Sequence, residues 1–111
     1  MMKSTVFFAD MVAHNEKQAL PSKVAKLCRK LNVESTFGKD ELIAIKVHFG
    51  EMGNTAFLRP DLLSPVIDAV RSSGAKPFLT DCNTLYKGSR TNAVDHQWCA
   101  AKHGFTYPVV D

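Results

Sequence analysis

The stretch that decides the fold is Glu41–Phe49, ELIAIKVHF. Leu42 and Ala44 alternate with Ile43 and Ile45, so both faces of an extended chain are apolar. That is the pattern of a parallel strand covered by helices on both sides, not of a strand with one wet face. Polarity arrives only at the end, where Lys46 and His48 share one face. Parallel strands need long crossover connections, so this reading requires a helix between Phe49 and the next strand.

The chain outward from that stretch supplies it. Gly50–Arg59 is a polar, glycine-containing loop, and Leu62, Leu63, Val66, Ile67 and Val70 then form a helical stripe. Ser64 as N-cap with Pro65 at the first helical position starts this helix, and Ser73 and Gly74 end it. Lys76–Thr80, KPFLT, is the next strand, with Pro77 tolerated at a strand start. Upstream, Leu20, Val24, Leu27, Cys28 and Leu31 recur at helical spacing, and Asn32–Asp40, with Gly38, is the return loop. Before that helix, Thr5–Ala9, TVFFA, reads as a buried first strand that stops at Asp10. Downstream, a third helix runs from Thr91 or Asn92 to about His103, closed by Gly104, with Val94, Trp98 and Ala101 on its buried face. Phe105–Val110, FTYPVV, reads as a fourth strand. The expected architecture is a three-layer α/β domain, a mainly parallel open sheet built of βαβ units. In such a sheet the loops after the strands' carboxyl ends share one rim, which brings together Asp10 and His14, the Lys46–Arg59 loop and the Asp81–His96 stretch.

With 111 residues, 45% of them hydrophobic and 23% charged, the chain reads as one globular domain, residues 1–111, and the disordered and fibrous classes are excluded. The net charge of +3 is mild, and the clearest basic cluster, Lys23, Lys26, Arg29 and Lys30, lies along one amphipathic helix as a solvated face. Nucleic acid is therefore not an expected partner. The apolar run Val6–Ala9 is broken by Asp10 and is too short for a membrane span. Cys28, Cys82 and Cys99 are odd in number and dispersed, which fits a reducing cytoplasm and offers no self-contained metal or cluster site.

Chemistry concentrates in Leu79–His96, LTDCNTLYKGSRTNAVDH, where hydrogen-bonding and titratable side chains crowd a loop and one helical turn. A capped surface loop accounts for the same residues, so position must separate the readings. His48 and Asp81 sit at strand ends, as candidate general bases or hard-metal ligands. Glu51 joins them in a metal-assisted reading. Their structural alternatives are capping by Asp81 and backbone bonding by His48. HFGEMGNT, His48–Thr55, lacks the residues of a nucleotide-binding loop, yet Asn54 and Thr55 with two glycines suit an anion-facing turn or an ordinary turn equally. KGSRTN, Lys87–Asn92, precedes the third helix, where free N–H groups favour an anion. The ligand set on this reading is Lys46, Asn54, Thr55, Asn83, Ser89, Arg90 and Asn92, and the expected partner is a small anionic ligand. His96, Cys99 and His103 share the helix face opposite Trp98 at a spacing suited to soft metal ligands, but no fourth ligand follows motif spacing and no metal is assigned.

KVHFGEMGNTAFLRP, Lys46–Pro60, and PFLTDCNTLYKGSRTNAVDH, Pro77–His96, resemble the family called domain of unknown function 362. The resemblance runs from the first strand to Asp111 and covers only the N-terminal portion of full-length members, which makes this chain a fragment or a short member. Many members carry a ferredoxin-type cysteine module, so the resemblance implies an iron–sulfur redox protein, with the cluster in a longer protein and none in this chain. This segment then supplies part of an anionic-ligand or cofactor cleft at the strand ends. Two alternatives remain open. One is a metal-assisted enzyme using His48 and Asp81, and the other is a non-catalytic module that associates with itself as a homo-oligomer through an uncovered strand edge.

Overall fold

A computed structural model describes residues 3–107 and 109–110. Helix α1 spans Leu20–Lys30, strand β1 Leu42–Lys46, helix α2 Ser64–Ser72, strand β2 Lys76–Thr80 and helix α3 Ala93–Lys102, with short 3-10 turns at Glu16–Gln18, Val33–Ser35 and Pro60–Leu62. The chain is thus a mixed helix and strand protein. β1 and β2 pair in parallel, from Leu42 opposite Lys76 to Lys46 opposite Thr80, and form a two-stranded open sheet with α2 between them in sequence.

Each helix starts and stops for a local reason. Pro21 stands in the first turn of α1 and Pro65 in that of α2, where a missing N–H costs no bond. The α2 helix begins one residue before the expected start because the turn at Pro60–Leu62 leads straight into it. Asn92 caps α3, its Oδ1 accepting from the N–H groups of Val94 at 3.1 Å and Asp95 at 3.0 Å. At the other end Gly104 N donates to Ala101 O and Phe105 N to Ala100 O, both at 3.0 Å, and Gly104 takes the left-handed conformation that this closure requires.

The core gathers Val47, Leu63, Ile67, Ala100, Phe105 and Val110, with Ile45, Phe49, Phe57 and Leu79 packed on it. Full burial of such a side chain contributes about 1.5–3 kcal/mol. Three expectations need correction. Thr5–Ala9 forms no helix and, among the described residues, pairs with no strand, and Val6 and Phe8 are 85% and 88% exposed. Apolar β-branched and aromatic residues favour a strand only where a neighbour completes the ladder, and none is in place here. In Phe105–Val110, Pro108 lies outside the described residues, and the rest forms a turn in which Thr106 O accepts from Val109 N and Val110 N. The sheet is covered on one side: α1 packs on α2 and the turns, so Leu42, Ala44 and Phe78 remain exposed on the other face. Among the described residues no helix is long and apolar enough to cross a membrane.

The third helix also turns its other face inward. Trp98 is 64% exposed and Val94 is exposed with it, while His96, Cys99 and Ala100 are buried. Polar groups occupy the buried face because each of them meets a partner there, as the rim beyond the strands shows.

Candidate functional site at the strand ends

Parallel pairing brings the carboxyl ends of β1 and β2 side by side, so the residues just beyond them meet. Asp81 follows β2 directly, with its side chain 2% exposed. Its Oδ1 accepts from Lys46 Nζ at 2.7 Å and Cys82 N at 2.8 Å. Its Oδ2 accepts from Phe49 N at 3.1 Å, Arg90 Nη1 at 3.0 Å and His96 Nε2 at 3.2 Å. One carboxylate therefore holds β1, the loop after it, the loop after β2 and α3 together. Burial pushes the Asp81 carboxyl up, but the Lys46 ammonium and the N–H groups of Phe49 and Cys82 outweigh it and hold the group well below the ordinary carboxylate range.

Arg90 is the second centre, 3% exposed as a residue. Besides Asp81, its Nη2 donates to Tyr86 Oη at 2.7 Å, and its Nε lies 3.5 Å from Glu51 Oε2. Burial works against the cation, yet the bonds to Tyr86 and Asp81 more than compensate and raise its pKa. Glu51 is in turn held by Ser89: Oε1 accepts from Ser89 N at 2.7 Å and from the Ser89 hydroxyl, which lowers the carboxyl's pKa. Ser89 Oγ also accepts from Met52 N at 3.1 Å. Two carboxylates and one guanidinium thus lay the Asp81–Asn92 loop on the loop that follows β1.

Helix α3 closes the assembly with its polar face. His96 Nδ1 lies 2.9 Å from Asn83 Oδ1, Cys99 Sγ donates to Gly50 O at 3.0 Å, and His103 Nδ1 donates to Phe49 O at 2.7 Å. The His103 ring stacks on Phe57 at 4.1 Å between centroids. Gly50 makes this approach possible. Its φ is +80°, and an added Cβ would stand 2.8 Å from Phe57.

Of the residues expected to act together, Lys46, Glu51, Asp81, Asn83, Ser89 and Arg90 converge on this network. The others do not join it. His48 is exposed and accepts from Gly50 N at 3.1 Å, Asn54 accepts from Ala56 N at 2.8 Å in a local turn, Thr55 is exposed, and Asn92 caps α3. The two N–H groups that α3 would offer an anion at Val94 and Asp95 are those that Asn92 occupies. His96, Cys99 and His103 share a face but each binds its own partners, so they do not converge on one point. Tyr86, one of the polar residues crowded into Leu79–His96 but outside the expected ligand set, enters as a partner of Arg90.

Beside the network lies a cavity of about 430 Å³. Phe49, Leu79 and Phe105 form an apolar wall, while Asp81, Asn83, His96 and Gln97 present polar groups. Lys46 does not line the cavity but pairs with Asp81, which does, and keeps its side chain 55% exposed. The three thiols lie on separate elements: Cys28 is buried on α1, Cys82 is exposed beyond β2 and Cys99 is buried on α3. Among the described residues no group of three His, Cys, Asp or Glu side chains is placed to hold a metal ion.

No curated protein and no solved structure matches the chain. A family model does, over residues 43–111, a span that contains every residue of the Asp81 and Arg90 network. The chain belongs to the family described as Domain of unknown function (DUF362).

Proposed function

We propose that the chain supplies a cleft for a small amphipathic ligand with an anionic group, at the carboxyl ends of its parallel strands. The observation that carries this reading is the cavity itself, half polar and half apolar, set against a network that fixes its polar wall. Asp81 and Arg90 are positioning groups on this reading. Five donors already saturate the Asp81 carboxylate, and the Arg90 guanidinium is buried, so neither is free to bind ligand without giving up a partner. Asn83 and Gln97 offer hydrogen bonds, and half-exposed Lys46 offers the charge. In the wider reading this cleft belongs to an iron–sulfur-associated redox protein whose cluster is bound outside these residues, and the two strands belong to a mainly parallel, three-layer sheet.

The test is an NMR titration with inorganic phosphate, acetate and a short-chain fatty acid. Saturable shifts at Asn83, His96 and Gln97 with the fatty acid are expected, stronger than with acetate or phosphate. Lys46→Ala should weaken binding about tenfold, the effect of one charge-assisted contact. Shifts absent from the cavity, or equal affinity in Lys46→Ala, would sink the proposal.

A further inference from the structure

The unpaired apolar segment and the open sheet edge lie in the same chain, and their details match. Among the described residues, 3–9 take part in no backbone hydrogen bond and form no helix, although Thr5–Ala9 has a strand's composition. Each strand of the sheet has one open edge, and the two edges differ. Lys76 N donates to Glu41 O and Val47 N to Thr80 O, so Lys76, Phe78 and Thr80 turn their backbone groups toward β1. Alternation then turns Pro77 outward, where its missing N–H blunts the edge of β2. On β1 the outward groups belong to Leu42, Ala44 and Lys46, all of which can donate and accept.

Charge selects the same edge and a direction. A parallel strand over residues 5–9 beside Leu42–Lys46 brings Lys3 opposite Glu41 and Asp40 and Asp10 beside Val47 and Lys46. Asp40 is already paired with Lys76 and Lys46 with Asp81, so each end gains an opposite charge at the margin of an existing ion pair. An antiparallel strand sets Lys3 beside Lys46 and Asp10 beside Asp40, with like charges at both ends. A parallel strand on β2 sets Lys3 near Lys76 and Asp10 near Asp81.

The chain's own segment is held elsewhere. Lys23 Nζ on α1 donates to Asp10 O at 2.8 Å and to Val12 O at 2.5 Å, and pairs with the Asp10 carboxylate. Because α1 packs on α2 and the turns, this clamp ties the root of the segment to the helical layer. We propose that the open edge of β1 receives Thr5–Ala9 of a second copy as a parallel strand, in a reciprocal twofold exchange in which each copy donates one strand and accepts one.

Sedimentation velocity of the full chain from micromolar to millimolar concentration, with amide hydrogen exchange at both ends of that range, tests this. A dimer should form as concentration rises, and the amides of Val6 and Phe8 and of Leu42, Ala44 and Lys46 should gain protection with it. Phe8→Pro lies in a segment without bonds in the single chain, so it should keep the helical circular dichroism and raise the dissociation constant at least tenfold. A chain that stays monomeric throughout overturns the proposal. So does a dimer unaffected by Phe8→Pro, and so does protection of residues 5–9 that is independent of concentration, which means pairing within one chain.

Discussion

Asp81 shows why a buried carboxylate is a strong commitment at the level of one residue. Its charge is shut off from water and matched by Lys46 and Arg90, with His96 and two backbone N–H groups completing its partners. Removing the charge leaves buried Arg90 with only Tyr86 and the longer contact to Glu51, so Asp81→Asn should cost about 3 kcal/mol in chemical denaturation. Acid should act through the same atom. The folded carboxyl titrates below the unfolded one, which sits near pH 3.9, so the unfolded chain takes up the proton first. The stabilisation is complete above about pH 4 and is lost as pH falls through the lower folded value. Denaturation midpoints of wild type and Asp81→Asn between pH 7 and pH 2 should therefore converge on acidification. Curves that stay parallel would remove Asp81 from the acid response. The importance of Asp81 was legible in the sequence, since an acidic residue directly after a strand falls on the rim. Its task was not, because a base and an anchor look alike until the donors around them are counted.

At the level of elements, local periodicity located α1, α2, α3, β1 and β2, because each carries its own apolar spacing, prolines or capping residues. It failed where structure depends on distant partners. Thr5–Ala9 has the composition of a strand and no neighbour, and strand pairing is a non-local property that composition does not contain. The face of α3 was misjudged for a related reason. Its apolar stripe, Val94, Trp98 and Ala101, looks buried by hydropathy, but His96, Cys99 and His103 satisfy Asp81 and the carbonyls of Gly50 and Phe49. Buried hydrogen-bond partners decided the orientation. Trp98 is the chain's one tryptophan, so its fluorescence reports α3 alone. A solvent-like red emission, readily quenched by acrylamide and barely shifted by denaturant, is expected from its exposure. Blue emission with poor quenching would show that the stripe is covered in solution. Gly50, on the loop that α3 clamps, tests the same contact from the other side. Gly50→Ala combines a left-handed backbone with a clash against Phe57, and it should lower stability by about 2–4 kcal/mol.

The whole molecule separates its thiols, and that bears directly on the redox reading of the family. An iron–sulfur cluster generally draws four cysteine ligands to one point, and here the chain offers three on separate elements. Cys28 lies on α1, and burial pushes its thiol pKa up. Cys99 is committed to the carbonyl of Gly50 across the site. Cys82 alone is exposed. Native protein should therefore react rapidly with one equivalent of a thiol reagent such as dithionitrobenzoate, and with three once denatured. Anaerobic reconstitution with iron and sulfide should leave the folded chain colourless, because assembling a cluster requires α1 and α3 to leave their packing positions and break the Cys99 bond. The two experiments have to agree. Rapid reaction of all three thiols would mean that the folded chain opens readily, and a colourless product would then say little about geometry. Slow reaction of Cys28 and Cys99 together with stoichiometric uptake of iron and sulfide would contradict their separation and place a cluster within this chain. One fast thiol and no colour would mean that the folded chain does not bring its three thiols to one cluster.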